Sequence, residues 1–267
     1  MSDITTFFGS LTVLQAGVLC SLIAGAGAGV GALPIYVVRT VSANIRDTLL
    51  GCAAGLMLGA TVFSLVIPGL EAAIEQTGSE PMGALFIGVG MFAGALMLWV
   101  FDRLIPHEHL IKDKPAEDQN RIKGVWLFVV AITIHNFPEG LAVGVGFGGG
   151  DVANGLTLTT AIFLQNLPEG FAVALAMMTV NYTPLGAIGV ALATGVVEMV
   201  GGLIGAIVVS LSVVLLPAAL AVAAGAMLFV ISHEVIPETH RNGNETPATF
   251  GVVVGFALMM YLGIAIS

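Results

Sequence analysis

AITIHNFPEGLAVGVGFGGGDVANGLTLTTAIFLQNLPEG occupies residues 131–170. Within it the phrase HNFPEG (135–140) returns as QNLPEG (165–170). Each copy sets a carboxylate, an amide and a proline inside sequence that is otherwise apolar. Polar groups in such sequence must find partners within the protein, because lipid offers none. The repeat therefore decides the fold. Two consecutive membrane helices run in opposite directions and carry the same polar phrase.

The rest of the chain fits that start. Of 267 residues, 57% are hydrophobic and 9% charged; a soluble domain carries about 25% charged residues. The 35 glycines are spread through the apolar runs, as in membrane helices that pack closely. The expected fold class is all-α: a polytopic membrane protein with eight transmembrane helices around a site at the bilayer midplane. Runs long enough to cross the hydrocarbon, about 20 residues each, fall at 11–34, 48–70, 82–101, 124–147, 152–179, 184–211, 217–236 and 248–266. They make one transmembrane domain over residues 1–267. Its longest loop, 102–123 (DRLIPHEHLIKDKPAEDQNRIK), is polar, expected to be flexible, and too short to fold by itself.

Basic residues orient the chain. Arg39 and Arg46 fall between spans 1 and 2. Arg103, Lys112, Lys114, Arg121 and Lys123 fall between spans 3 and 4, and Arg241 between spans 7 and 8. Basic loops stay cytoplasmic, so both termini should be extracytoplasmic. For a bacterial source the expected location is the cytoplasmic (inner) membrane. The formal charge of −9 comes mostly from loops, and no basic stripe offers a nucleic-acid surface. Cys20 and Cys52 lie in apolar segments and imply no disulfide. MSDITTFFGS lacks the basic start of a cleaved signal peptide, so the first apolar run should stay as a helix. Spans 4 and 5 read as an inverted pair about an axis in the membrane plane, flanked by three spans on each side, a 3+2+3 plan found in transporters built round a central site.

Few ionisable groups lie well inside the spans: His135, Glu139, Glu169 and Glu198. The three carboxylates sit near mid-depth on three consecutive helices. Each costs on the order of 3 kcal/mol there, and spans 4, 5 and 6 contain no Lys or Arg to pair with them. A bound cation is the simplest partner. His135 and Glu139 are i,i+4 and share a helix face; Gln165 and Glu169 repeat the spacing. Asn136 and Asn166 add amide oxygens. Pro138 and Pro168 each release a carbonyl one turn earlier and should kink the helix, while Gly140 and Gly170 admit a neighbouring backbone. Imidazole, carboxylate and amide together suit zinc first, then cadmium, iron(II), manganese and cobalt. Three carboxylates could neutralise two such ions sharing Glu139 and Glu169. Other residues have plainer readings when taken alone. Glu198 in GVVEMVGG could be a protonated, hydrogen-bonded acid. Met57 and Met199 suit packing, and His107 with His109 suits a solvated loop. His233 and Glu234 stand at the end of span 7, within reach of water.

HNFPEG, then QNLPEG, then an isolated Glu in the sixth span resemble the ZIP family of divalent-metal transporters, in its compact prokaryotic form. The likeness covers nearly the whole chain. It implies uptake of zinc and related ions into the cytoplasm through a site between spans 2, 4, 5 and 6, often with two metals. It places His135, Glu139 and Glu169 at a first metal position, with a sulfur from Met57. Asn136, Glu139, Gln165, Asn166, Glu169 and Glu198 match a second. Ser64 and Glu71 match the outer entrance, and His233 with Glu234 the inner release route, with Asp102, His107 and His109 as receivers. The sequence departs from the family at Gln165, where many members have His, and at Asn166, where some two-metal members have Asp. Both changes weaken the second position. No cofactor is expected beyond the transported ion. The expected partners are divalent metal ions and the bilayer, and a homodimer is compatible with the sequence.

Two other functions use similar groups. An intramembrane metalloprotease needs HExxH, but HEVIP (233–237) has Pro237 where the second His belongs. A proton-coupled carrier of an organic substrate could use the three Glu residues as a relay. It would also need substrate-recognising groups beyond His135 and two amides. Metal transport by alternating access, with no enzymatic activity, is the expectation carried forward.

Overall fold

The computed structural model describes residues 2–104, 116–240 and 243–266. The long elements are all helical, and there is no strand among the described residues. Among the described residues eight helices are long and apolar enough to cross a membrane: Val13–Tyr36, Ala43–Thr77, Glu80–Val100, Gly124–Gly146, Val152–Thr179, Pro184–Leu211, Val213–Thr239 and Glu245–Ile266. They are spans 1 to 8. The chain is thus an all-α polytopic membrane protein, as its composition requires.

Capping and backbone chemistry set the helix ends more than hydropathy does. Thr12 opens span 1 with a capping box: its hydroxyl accepts from Gln15 N, and Gln15 Oε1 accepts from Thr12 N. Ser42 caps span 2, Asp151 span 5 and Thr183 span 6. Span 2 therefore starts before, and ends after, the apolar run expected at 48–70. The short connection between spans 4 and 5 uses Gly149 and Gly150 at φ +69° and +82°, where a side chain would be strained. Two expectations change. A short helix, Ser2–Gly9, precedes span 1. The loop expected over 102–123 is shorter, because the helix of span 3 runs to Leu104 and that of span 4 begins at Ala116. Polar sequence such as AEDQNRIK can stay helical outside the hydrocarbon.

Packing follows an inverted plan. Span 1 packs on spans 5 and 6, and span 6 packs on spans 4 and 1. Around this bundle, span 8 lies along span 2 and span 3 along span 7. Span 2 seats on span 5, and span 7 on span 4. The glycines record the same relation at atomic scale. Gly140 lies against the backbone of Glu198, and Gly170 against that of Ala28; a Cβ on either would collide with a carbonyl. Gly25 and Gly195 meet each other reciprocally. Ala28 thus holds in span 1 the place that Glu198 holds in span 6.

Spans 4 and 5 run as continuous helix through Pro138 and Pro168. Spans 2 and 7 instead widen into π-helix, at Thr61–Val66 and Ile231–Val235, each followed by Ile-Pro (Ile67-Pro68 and Ile236-Pro237). Such segments are frequent at functional sites, and these two are related by the same inversion. Spans 3 and 8 turn large side chains outward, including Phe92, Val89, Phe250 and Tyr261, as a lipid-facing surface requires.

Candidate metal site

His135 and Glu139 project from one face of span 4 towards Glu169 of span 5. His135 Nε2 stands 3.1 Å from Glu169 Oε2 and 3.8 Å from Glu139 Oε1. One nitrogen and two carboxylate oxygens, all buried, lie within 4.8 Å of one another. Zinc binds such atoms at about 2.0–2.2 Å, so two ligands of one ion are at most about 4.4 Å apart. The two distances from His135 already meet that limit.

Amides hold the carboxylates in place. Gln165 Nε2 donates to Glu139 Oε1. Asn166 Nδ2 donates to Glu198 Oε1 at 2.7 Å and to the carbonyl of Ala24 in span 1 at 3.0 Å. With two acceptors on its nitrogen side, Asn166 keeps a buried oxygen without a hydrogen-bond partner. Among the described residues, several buried atoms here have no hydrogen-bond partner: both polar atoms of Asn136, Gln165 Oε1, Asn166 Oδ1, and one oxygen each of Glu139, Glu169 and Glu198. A buried polar atom left alone costs about 1–3 kcal/mol. So many, nearly all of them acceptors, make a chemically coherent cradle for a cation.

Sequence reasoning placed Glu234 at the end of span 7 and, by resemblance, on the inner release route, but not against His135. In the structure its Oε2 is 3.8 Å from His135 Nδ1, behind the imidazole. A carboxylate there favours the proton on Nδ1 and leaves Nε2 free to ligate. The π-helical segment delivers it, and the repeated Val-Ile-Pro (66–68 and 235–237) was the available signal. His233, in the same segment, stacks on Phe229 with ring centroids 4.9 Å apart.

A cavity of about 860 Å³ runs from His135 and Glu169, past His233 and Glu234, to Arg39 and Arg46. It opens at the end that carries the basic loops. Towards the other end Leu65, Phe147, Leu158 and Ile162 pack without exposure above 1%. Ser64 is buried in that layer, and its carbonyl accepts from Asn154 Nδ2 at 3.0 Å. Glu71 lies beyond it on the surface. Met57 is fully buried, with its carbonyl accepting from Thr61 Oγ1 at 2.8 Å. Asp102 lies in the helix of span 3, but its side chain, like the whole of His107 and His109, falls outside the described residues. One buried acid was not foreseen: Asp47, paired with Arg46 at 3.0 Å and bonded by Asn244 Nδ2 at 2.8 Å. It closes the start of span 2 onto the start of span 8.

Comparison with known proteins gives the family. The family model described as ZIP zinc transporter matches residues 107–263. The chain is 47% identical to the zinc transporter ZIPB of Bordetella bronchiseptica, over 91% of this chain and 78% of that one. It is 44% identical to the zinc transporter GufA of Myxococcus xanthus, over 95% and 100%. It is 28% identical to the zinc transporter ZIP11 of Homo sapiens, over 89% and 93%. With a family model over most of its length and relatives this similar, the chain belongs to the ZIP zinc transporter family, whose members are metal-ion transporters and not enzymes.

Proposed function

We propose that this protein carries zinc, and with it cadmium, iron(II), manganese or cobalt, into the cytoplasm by alternating access. The observation that carries the proposal is the cluster of His135, Glu139 and Glu169 at the floor of a cavity open at the basic end of the molecule. If that end is cytoplasmic, as the positive-inside rule requires, the conformation is inward-open and both termini lie outside. The membrane is then the inner membrane of a bacterial cell, with spans 3 and 8 facing lipid or a second copy in a homodimer.

The first ion is assigned to His135, Glu139 and Glu169, with Met57 reaching in when the outer end opens. Asn136, Gln165, Asn166 and Glu198 flank a second position that shares Glu139 and Glu169. Asn166 presents an N–H to Glu198, so that position is weaker and one ion is held at rest. Ser64 and Glu71 line the way in. Glu234 and His233 line the way out, towards Asp102, His107 and His109. Bound metal displaces protons from its ligands, which couples uptake to pH. The test is zinc flux into proteoliposomes. Wild-type protein should transport; the double variant Glu139→Ala/Glu169→Ala should not. Undiminished flux in the double variant would refute the assignment.

A further inference from the structure

Pro68 has no N–H, so the carbonyl of Ser64 cannot take the i+4 backbone bond of an α-helix. Ser64 lies in the π-helical segment of span 2, inside the packed layer at the closed end. The side chain of Asn154, from the first turn of span 5, supplies a donor. Its Nδ2 donates to Ser64 O at 3.0 Å and reaches Gly146 O, the last residue of span 4, at 3.5 Å. Asn154's backbone N–H is separately satisfied by Asp151 Oδ1 at 3.0 Å, so its side chain is free for this contact. One amide thus ties spans 2, 4 and 5 together where the outer end would have to part.

At the matching position of the open end the inverted repeat has no such amide. In span 7, Pro237 withholds its N–H from the carbonyl of His233, as Pro68 does from Ser64. The partner position is different. Asn154 stands eleven residues before Gln165, and Gly124 eleven before His135, so Gly124 is the residue of span 4 in register with Asn154. Gly124 and His233 both line the cavity, and glycine has no side chain with which to bridge it.

We propose that Asn154 is a positioning residue that latches the outer end shut, and that its absence from the other half of the repeat makes the conformation open at the basic end the resting one. The proposal rests on the alternating-access reading given above. A single neutral hydrogen bond shifts a two-state equilibrium by about two- to ten-fold, enough to choose the resting state without freezing it.

The experiment uses the full chain in lipid nanodiscs, where both ends are accessible, in zinc-free buffer, with Cys20 and Cys52 replaced by alanine. Two reporters are made: Ser64→Cys at the closed end and Ala176→Cys in the open cavity. The latch contacts the backbone of Ser64, so the first reporter leaves it intact. Labelling rates with a polar thiol reagent are compared with and without Asn154→Ala. The Ser64→Cys rate should rise about two- to ten-fold while the Ala176→Cys rate holds or falls. A Ser64→Cys rate that does not rise would overturn the latch. So would rates that rise together, which would mean general loosening. Zinc flux by the parent protein is measured separately. Loss of flux strikes the transport reading, and unchanged accessibility strikes only the latch.

Discussion

Glu234→Ala should weaken zinc binding by about thirty-fold, and the figure follows from geometry. Glu234 Oε2 is 3.8 Å from His135 Nδ1. Crossing the imidazole adds about 2.2 Å and a zinc–nitrogen bond about 2.0 Å, so the carboxylate lies about 8 Å from an ion on Nε2. At that distance a unit charge and a dication attract by about 4 kcal/mol at an effective dielectric of about 20, and by about 1 kcal/mol in water. The Glu234 side chain is 19% exposed and faces the cavity, which places the value between those limits. About 2 kcal/mol corresponds to about thirty-fold, within the ten- to hundred-fold range seen when groups behind a ligating histidine are removed. Isothermal titration calorimetry of purified protein gives the dissociation constant directly. Glu234→Gln separates the two contributions. It keeps a polar side chain of similar size but drops the charge, so it should recover only the part that is not due to charge. A Glu234→Ala protein that is monodisperse and binds zinc within about two-fold of wild type would show that Glu234 does not act on the site.

Three further outcomes follow from the same geometry. Gly170→Ala drives a methyl group into the backbone of Ala28 and should cost on the order of 1–3 kcal/mol, read as a lower Tm in detergent. Gly88→Ala, which meets nothing within 4 Å, should leave Tm nearly unchanged. Asn166→Asp replaces the N–H facing Glu198 with an acceptor and should raise bound zinc from one to two per chain by elemental analysis after dialysis; a ratio that stays at one would show that Asn166 does not limit the second position. Zinc affinity should fall as pH falls, because the histidine and the carboxylates must shed protons to ligate. Calorimetry in buffers of different ionisation enthalpy should then report protons released on binding, and a buffer-independent enthalpy would contradict this.

Much of the site could be read from one repeated phrase. HNFPEG and QNLPEG put imidazole, amide and carboxylate at i,i+4 spacing in apolar sequence, and desolvation leaves such groups few alternatives to a cation. The number of spans was legible because long apolar runs and the grouping of basic residues constrain each other. Other features left no such trace. Ala28 and Glu198 hold matching backbone places under Gly170 and Gly140 but share no side-chain chemistry, so the repeat in the flanking spans is written in backbone approach and hidden in the sequence. The π-helical segments change hydrogen-bond register without altering hydropathy, so only the two Val-Ile-Pro triplets marked them. For that reason the reach of Glu234 to His135 could not be read from its place near the end of span 7. The helix from Ala116 was missed because polar residues can stay helical once the helix has left the lipid, where hydropathy no longer reports on it.

The proposed ion position is on His135, Glu139 and Glu169. X-ray absorption at the zinc edge of purified, zinc-loaded protein measures its ligands directly. Wild type should give nitrogen and oxygen neighbours at about 2.0–2.2 Å with an imidazole scattering pattern, and His135→Ala should lose that pattern. An unchanged spectrum in His135→Ala, or one of water ligands alone in wild type, would place the ion elsewhere.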